Sequence, residues 1–212
     1  MNLAVNVIAR IFILALFFFT WQNFEQASRQ LNQNLVYFYL ILVILSFIID
    51  KFFYKGQPSN NNKGFNLLST LISITWFSAL IIPIMEYSYF IRSNNIISIT
   101  AIIIVFIGII IRGLGIKYLG KYFSREVETW DDHTLIKDGI YKYIRHPAYL
   151  GNMLQIIGFP LILNSYYSLV LSAFMIYLFL KRIEVEEKFL AKKLPQYRSY
   201  QKDTDKLIPY IW

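Results

Sequence analysis

The chain collects most of its chemically versatile side chains in one polar stretch, residues 133–151, between segments that are otherwise strongly apolar. Both histidines of the protein, His133 and His146, lie in this stretch, next to Arg145 and close to a glycine at position 139. Imidazole groups exchange protons and bind polar ligands, and a guanidinium group binds anions. A chain that places its scarce imidazoles at one point is expected to have its functional site there.

A second group with chemical potential is Arg182 and Glu186, four residues apart at the end of the last apolar run. This spacing places them on one face of a helix, where they can act as a pair. An ordinary salt bridge, worth about 0.3–0.5 kcal/mol, also explains the pair when it is taken alone. Likewise, His146-Pro147 alone is explained as a helix boundary, because proline disfavours helix in the residue before it and fits the first helical turn.

The elements that must position these residues are membrane helices. Hydrophobic residues make up 56% of the chain and charged residues 16%, whereas a soluble domain has about 25% charged residues. Crossing about 30 Å of hydrocarbon takes about 20 apolar residues in a helix. Four such spans precede the polar stretch, at residues 3–20, 35–49, 67–85 and 96–111.

The apolar run at residues 149–180 is too long for one straight crossing. It is interrupted at Asn164-Ser165, which predicts a tight helical hairpin with a first arm kinked at Pro160. The predicted fold class is therefore all-α, a polytopic integral membrane protein with five or six transmembrane helices that include this C-terminal hairpin. We expect one compact membrane domain, in which residues 1–112 form the N-terminal helices and residues 113–212 the catalytic region.

The net charge of +8 is explained by basic cytoplasmic loops, so nucleic-acid binding is not expected. The positive-inside rule places the polar stretch and the C-terminal segment 181–206 on the cytoplasmic face. The basic residues that set this orientation flank the second and third spans or follow the fourth: Lys51, Lys55, Lys63, Arg112, Lys117, Lys121 and Arg125. The absence of cysteine excludes disulfides and thiolate chemistry, and two histidines alone predict no metal site.

The order of motifs carries a family resemblance. His-Thr-Leu, Gly-x-Tyr and Arg-His-Pro-x-Tyr-x-Gly lie within residues 132–151, and Arg-x-x-x-Glu-Glu follows at residues 182–187. Tyr197, Tyr200 and the closing Leu-Ile-Pro at 207–209 complete the pattern. This order and spacing resemble the isoprenylcysteine carboxyl methyltransferase family and its phospholipid methyltransferase relatives. The likeness covers residues 120–209, whereas residues 1–110 share only their hydrophobic helices.

The resemblance implies S-adenosylmethionine as methyl donor and S-adenosylhomocysteine as product, in a pocket that faces the cytoplasm. It also implies roles by position: Glu186 would contact the donor, and Arg182 would bind the methyl acceptor, the two forming the catalytic pair. Two departures from the family pattern are Glu126, in place of a glutamine that contacts the donor, and Leu194-Pro195, in place of Phe-Gly. The remaining donor-binding residues implied are His133, Thr134, Leu135, Ile136, Tyr141, His146, Pro147, Ala148 and Tyr149.

The residue types suit this chemistry. A carboxylate and aromatic rings attract a sulfonium cation, and the cation–aromatic contact contributes about 0.5–2 kcal/mol. A carboxylate acceptor is already ionised at neutral pH and needs no general base. Arginine can hold both oxygens of such an acceptor, so catalysis would consist mainly of alignment. An amine or thiol acceptor would require deprotonation, with a histidine or Glu186 assisting.

We therefore expect a membrane methyltransferase acting on a lipophilic acceptor that enters from the bilayer, foremost the carboxylate of an isoprenylcysteine-like molecule. The alternatives are a phospholipid amine or thiol acceptor, a membrane reductase that uses NADPH, and a transporter or scaffold without enzymatic activity. A composition rich in Asn, Ile and Lys indicates an AT-rich genome, so a prokaryotic cell membrane is expected rather than the endoplasmic reticulum. The sequence predicts no oligomeric state.

Overall fold

The computed structural model describes residue 15 and residues 32–56, 67–124, 127–129 and 134–209. Within these ranges the chain forms helices and turns, with one isolated parallel bridge between Ile144 and Asp205. The all-α prediction is thereby confirmed for the described residues. The expected first span, residues 3–20, lies outside them apart from Ala15, which is helical. The helices are α1 (Gln33–Phe53), α2 (Leu67–Tyr89), α3 (Asn95–Leu119), α4 (Pro147–Ile162), α5 (Leu169–Lys193) and α6 (Tyr197–Asp203).

Three described helices are long and apolar enough to cross a membrane: Gln33–Phe53, Leu67–Tyr89 and α3 with the turn that follows it, Asn95–Tyr122. Their mean hydropathy values are 2.2, 2.0 and 2.6. They correspond to the second, third and fourth predicted spans. Helix α4 has 16 residues and is about 24 Å long at 1.5 Å per residue, which is shorter than the hydrocarbon core. The count of five or six crossings stays a prediction.

Helices α3 and α4 pack with their backbones in close approach because glycines line their interface. A Cβ atom on Gly151 would come within 2.6 Å of the Gly108 carbonyl oxygen, and one on Gly158 within 2.5 Å of the Val105 side chain. Small residues are the usual means of close helix packing in a membrane, where no hydrophobic force drives the helices together. This contact fixes α4, and with it the end of the polar stretch, against α3.

The predicted hairpin is present. Helix α4 ends at Ile162, Asn164 adopts a left-handed conformation with φ of 55°, and α5 begins at Leu169. Pro160 lies inside α4 and cannot donate a backbone hydrogen bond to the Ile156 carbonyl. The Ser172 hydroxyl of α5 donates to that carbonyl at 2.6 Å instead, so the proline strengthens the contact between the two arms.

A buried carboxylate closes the hairpin turn at the end opposite the polar stretch. Glu86 of α2 is 7% exposed, accepts hydrogen bonds from the backbone N–H groups of Tyr167 and Ser168, and pairs with Arg92 at 3.0 Å. Helix α2 extends four residues beyond the predicted span, so this charge lies within the helix. These partners supply the hydrogen bonds and the counter-charge that the buried carboxylate needs. They also connect the α2–α3 loop to the segment before α5.

Candidate functional site

A cavity of about 420 Å³ lies where the polar stretch meets the bundle. Its volume is within the range of small-molecule sites. Residues from the polar segments and the C-terminal part of α5 line one portion: Leu135, Ile136, Tyr141, Arg145, His146, Ala148, Glu186, Tyr197 and Tyr200. Residues from α1, α2, α4 and α5 line the other: Phe47, Ile72, Trp76, Phe77, Asn152, Gln155, Met175, Phe179 and Arg182. One space therefore joins a polar region to a bundle region that holds Phe47, Trp76, Phe77 and Phe179 and is called below the apolar portion. Some polar residues of the bundle line the cavity as well: Ser46, Asp50, Ser69, Ser73 and Arg112.

Most of the residues selected from the sequence meet at this cavity. Its wall includes Leu135, Ile136, Tyr141, His146, Ala148, Tyr149, Arg182 and Glu186. Thr134 is exposed and Pro147 is buried, and neither lines the cavity. Pro147 occupies the first turn of α4, as its missing N–H group allows. His133 and Glu126 lie outside the described residues.

Tyr141 is fixed from two sides. It lies in a 3-10 turn, Gly139–Lys142, which starts at a glycine with φ of 60°. Its hydroxyl donates to the Gly115 carbonyl of α3 at 3.2 Å, and its own carbonyl accepts from the Tyr200 hydroxyl of α6 at 2.6 Å. Burial, followed by the nearby Glu186 carboxylate, raises the pKa of Tyr141 well above its usual value, so its hydroxyl remains a hydrogen-bond donor.

The two residues of the predicted catalytic pair have separate supports. The Tyr149 hydroxyl donates to Glu186 Oε2 at 2.7 Å, which joins the first turn of α4 to α5. Arg182 is 4% exposed, and its Nη1 donates to the Ser69 hydroxyl of α2 at 2.7 Å. A carboxylate and a guanidinium one helical turn apart are therefore held at the wall of one cavity.

Next to the cavity, Glu187 organises a network that the sequence analysis did not identify. Glu187 Oε1 lies 2.9 Å from Arg145 Nε and 3.3 Å from His146 Nε2, and Oε2 lies 3.6 Å from Lys206 Nζ. Burial alone would raise the pKa of Glu187, but hydrogen bonds from His146 and Arg145, together with their electrostatic attraction, outweigh burial and lower it to about 2. The carboxylate therefore stays charged at neutral pH.

The same network attaches the C-terminal segment to the polar stretch. Arg145 Nη1 donates to the carbonyls of Gln201, at 3.0 Å, and Thr204. The backbone N–H groups of Arg145 and His146 donate to the carbonyls of Asp205 and Lys206 at 2.9 and 3.1 Å. This attachment holds α6, and hence Tyr200, over Tyr141.

A second ion pair crosses the wall inside the bundle. Arg112 of α3 contacts Asp50 of α1 through Nε at 2.7 Å and Nη2 at 2.6 Å, with both side chains largely buried. Arg112 was expected in a loop after the fourth span, and the loop placement is wrong because α3 continues to Leu119. The cytoplasmic orientation of this end stays a prediction. The available signal was a pair of opposite charges, Asp50 directly after the run 35–49 and Arg112 directly after the run 96–111. Such charges can pair when both helices extend beyond the apolar runs.

Comparisons with known proteins agree on one family. The model of the isoprenylcysteine carboxyl methyltransferase (ICMT) family matches residues 101–192. The protein-S-isoprenylcysteine O-methyltransferase of Dictyostelium discoideum is 31% identical over 76% of this chain and 68% of its own length. The Saccharomyces cerevisiae protein of the same name is 32% identical over 74% of this chain, which spans 65% of that relative. The Schizosaccharomyces pombe protein is 28% identical over 94% of this chain and 90% of its own length.

Among solved structures, the eukaryotic intramembrane Ras methyltransferase ICMT matches all of this chain and 88% of its own, with a TM-score of 0.68 and 22% identity. This likeness shows a common fold, and it is consistent with helices suited to a membrane. Three findings lead to the same result: the motif order of residues 132–209, the matching family model, and the Dictyostelium relative, of which the chain covers 68%. The chain belongs to the isoprenylcysteine carboxyl methyltransferase family.

Proposed function

We propose that the chain is an integral membrane methyltransferase that transfers a methyl group from S-adenosylmethionine to a lipophilic acceptor, foremost the carboxylate of an isoprenylcysteine-like molecule. The observation that carries this proposal is the single cavity that holds Glu186 and Arg182 side by side. A cation-binding group and an anion-binding group then face the same space. Methyl transfer from a sulfonium donor to a carboxylate acceptor requires two such groups in one site.

The residues present fit the donor. Glu186 supplies a carboxylate for its positive charge, and Tyr149 keeps that carboxylate in place by donating to it. Tyr141 supplies an aromatic wall, and Leu135 and Ile136 supply apolar walls. These segments belong to the region 113–212, which we propose as the donor-binding half of the protein, with His146 and Ala148 completing the wall of the cavity.

When bound, S-adenosylmethionine supplies an electrophilic methyl group: an acceptor oxygen forms a bond to the methyl carbon while the carbon–sulfur bond breaks and its electron pair remains on sulfur. Arg182 orients the acceptor, because its planar guanidinium group can hold a carboxylate through two hydrogen bonds. No residue has to remove a proton, since a carboxylate acceptor is already ionised.

The apolar portion of the cavity supports a lipophilic acceptor. Trp76, Phe77 and Phe179 line it, and Trp76 and Phe77 lie on α2, a helix long and apolar enough to cross a membrane. The donor is soluble and would enter from the polar side, which we propose to be the cytoplasmic side of a prokaryotic cell membrane. The acceptor would reach the cavity from the lipid.

The test is a methyl-transfer assay on the purified protein with labelled S-adenosylmethionine. A farnesylated thioether carboxylate, an aminophospholipid and a small thiol are compared at equal concentration. We expect label only in a base-labile ester of the first. Label in the phospholipid would refute a carboxylate acceptor, and binding of NADPH without binding of S-adenosylhomocysteine would refute a methyltransferase.

A further inference from the structure

The apolar portion of the cavity contains two amide side chains whose polar atoms are not satisfied. Gln155 is 1% exposed, and neither its amide oxygen nor its amide nitrogen has a hydrogen-bond partner among the described residues. Asn152 is 9% exposed, and its amide oxygen lacks a partner as well. Both residues line the cavity. Leaving a buried polar group unpaired is costly, so such groups usually have a functional reason.

The two amides share one face of α4. They are three residues apart, which places one about 4.5 Å beyond the other along the helix axis. Tyr149, which contacts Glu186, lies on the same helix three residues before Asn152. Gln155 is therefore about 9 Å further along the helix than the residue that marks the donor region.

The surroundings of Gln155 are otherwise suited to a hydrocarbon chain. Phe47, Trp76, Met175 and Phe179 line the same cavity. An unbroken hydrocarbon placed there would leave the Gln155 amide desolvated without compensation. A chain that carries a group able both to accept from Nε2 and to donate to Oε1 would satisfy it.

We propose that Asn152 and Gln155 form a specificity site for a polar group inside the lipophilic chain of the acceptor. The group both donates and accepts hydrogen bonds, as a hydroxyl or a secondary amide does. This inference rests on the proposed function and narrows its substrate class to lipophilic carboxylates whose chain carries such a polar group.

The experiment measures binding of three thioether carboxylates of equal chain length to the full protein with S-adenosylhomocysteine present. One has an unbroken hydrocarbon chain, one carries a hydroxyl at mid-chain, and one carries an amide at that position. The wild type is expected to bind the hydroxyl or the amide probe about tenfold more tightly than the hydrocarbon. The tighter of the two identifies the group.

The variants are Gln155→Leu and Gln155→Met, which keep the volume and remove the amide. Because no described residue bonds to that amide, both variants are expected to fold, with an unfolding temperature no lower than that of the wild type. Both should lose the preference and bind the hydrocarbon probe at least as well. Gln196→Leu serves as the control and should keep the preference, because Gln196 is exposed and does not line the cavity.

Equal affinity of the wild type for all three probes, or an unchanged preference in both variants, would overturn the inference and indicate that buried water satisfies Gln155. Binding is measured without turnover, so this result is independent of methyl transfer. Failure to methylate any thioether carboxylate, with the preference intact, would instead refute only the proposed reaction.

Discussion

Replacing Glu187 with glutamine tests whether one carboxylate holds the C-terminal segment over the site. Glu187 pairs with Arg145, His146 and Lys206, and its pKa is lowered from an ordinary value near 4.5 to about 2. One pKa unit corresponds to about 1.4 kcal/mol, so the lowering corresponds to about 3 kcal/mol. Partial solvent screening reduces this, and we expect Glu187→Gln to cost about 2 kcal/mol.

The direction of the pH dependence follows from the lowered pKa. The folded protein binds fewer protons at Glu187 than the unfolded chain does, so the stabilisation is complete above about pH 4.5 and is lost as the pH falls towards 2. In Glu187→Gln this dependence should disappear. The glutamine cannot balance the charge of Arg145, so attachment of residues 197–206 should weaken even at pH 7.

The assay is amide hydrogen exchange of residues 197–206 in detergent-solubilised protein, together with thermal unfolding. A loss of about 2 kcal/mol should raise the exchange of this segment about 30-fold. The matched control is Glu184→Gln on the same helix, because Glu184 pairs with Lys181 at 3.2 Å and both side chains are about half exposed. That control should cost less than about 0.5 kcal/mol. Exchange in Glu187→Gln within threefold of the wild type would refute the reasoning.

Three further substitutions test other parts of the structure. Asp50→Asn leaves the largely buried Arg112 guanidinium without its counter-charge and should lower the free energy of unfolding by about 3 kcal/mol, seen as a lower unfolding temperature. An unfolding temperature equal to that of the wild type would refute a structural ion pair. Arg182→Lys should lower kcat/KM for the acceptor at least tenfold without changing the affinity for S-adenosylhomocysteine, because an ammonium group cannot hold two carboxylate oxygens in parallel. An equal loss of kcat/KM and of S-adenosylhomocysteine affinity would place Arg182 at the donor instead. Gly151→Ala directs a methyl group at the Gly108 carbonyl oxygen and should cost about 1–3 kcal/mol by thermal unfolding, because backbone atoms cannot move aside.

Local sequence patterns predicted the helices well because hydrophobic run length is a local property. Residues 35–49, 67–85 and 96–111 were expected as spans, and each lies within an observed helix. The hairpin break at Asn164-Ser165 followed from the length of the run and its polar interruption. The ends of the helices were less predictable: α3 continues past Arg112 to Leu119 because a partner on another helix, Asp50, makes that charge acceptable among apolar residues.

The sequence by itself determined the fold class, the family and most of the residues that meet at the cavity, because these depend on composition, run length and the order of short motifs. Only the tertiary structure decided which partners hold those residues: Ser69 for Arg182, Tyr149 for Glu186, and Glu187 for Arg145 and His146. Only the tertiary structure also placed the unsatisfied amide of Gln155 at the cavity wall. The physical reason is that hydrogen bonds and burial depend on distances between helices, which a helix's own sequence pattern does not specify.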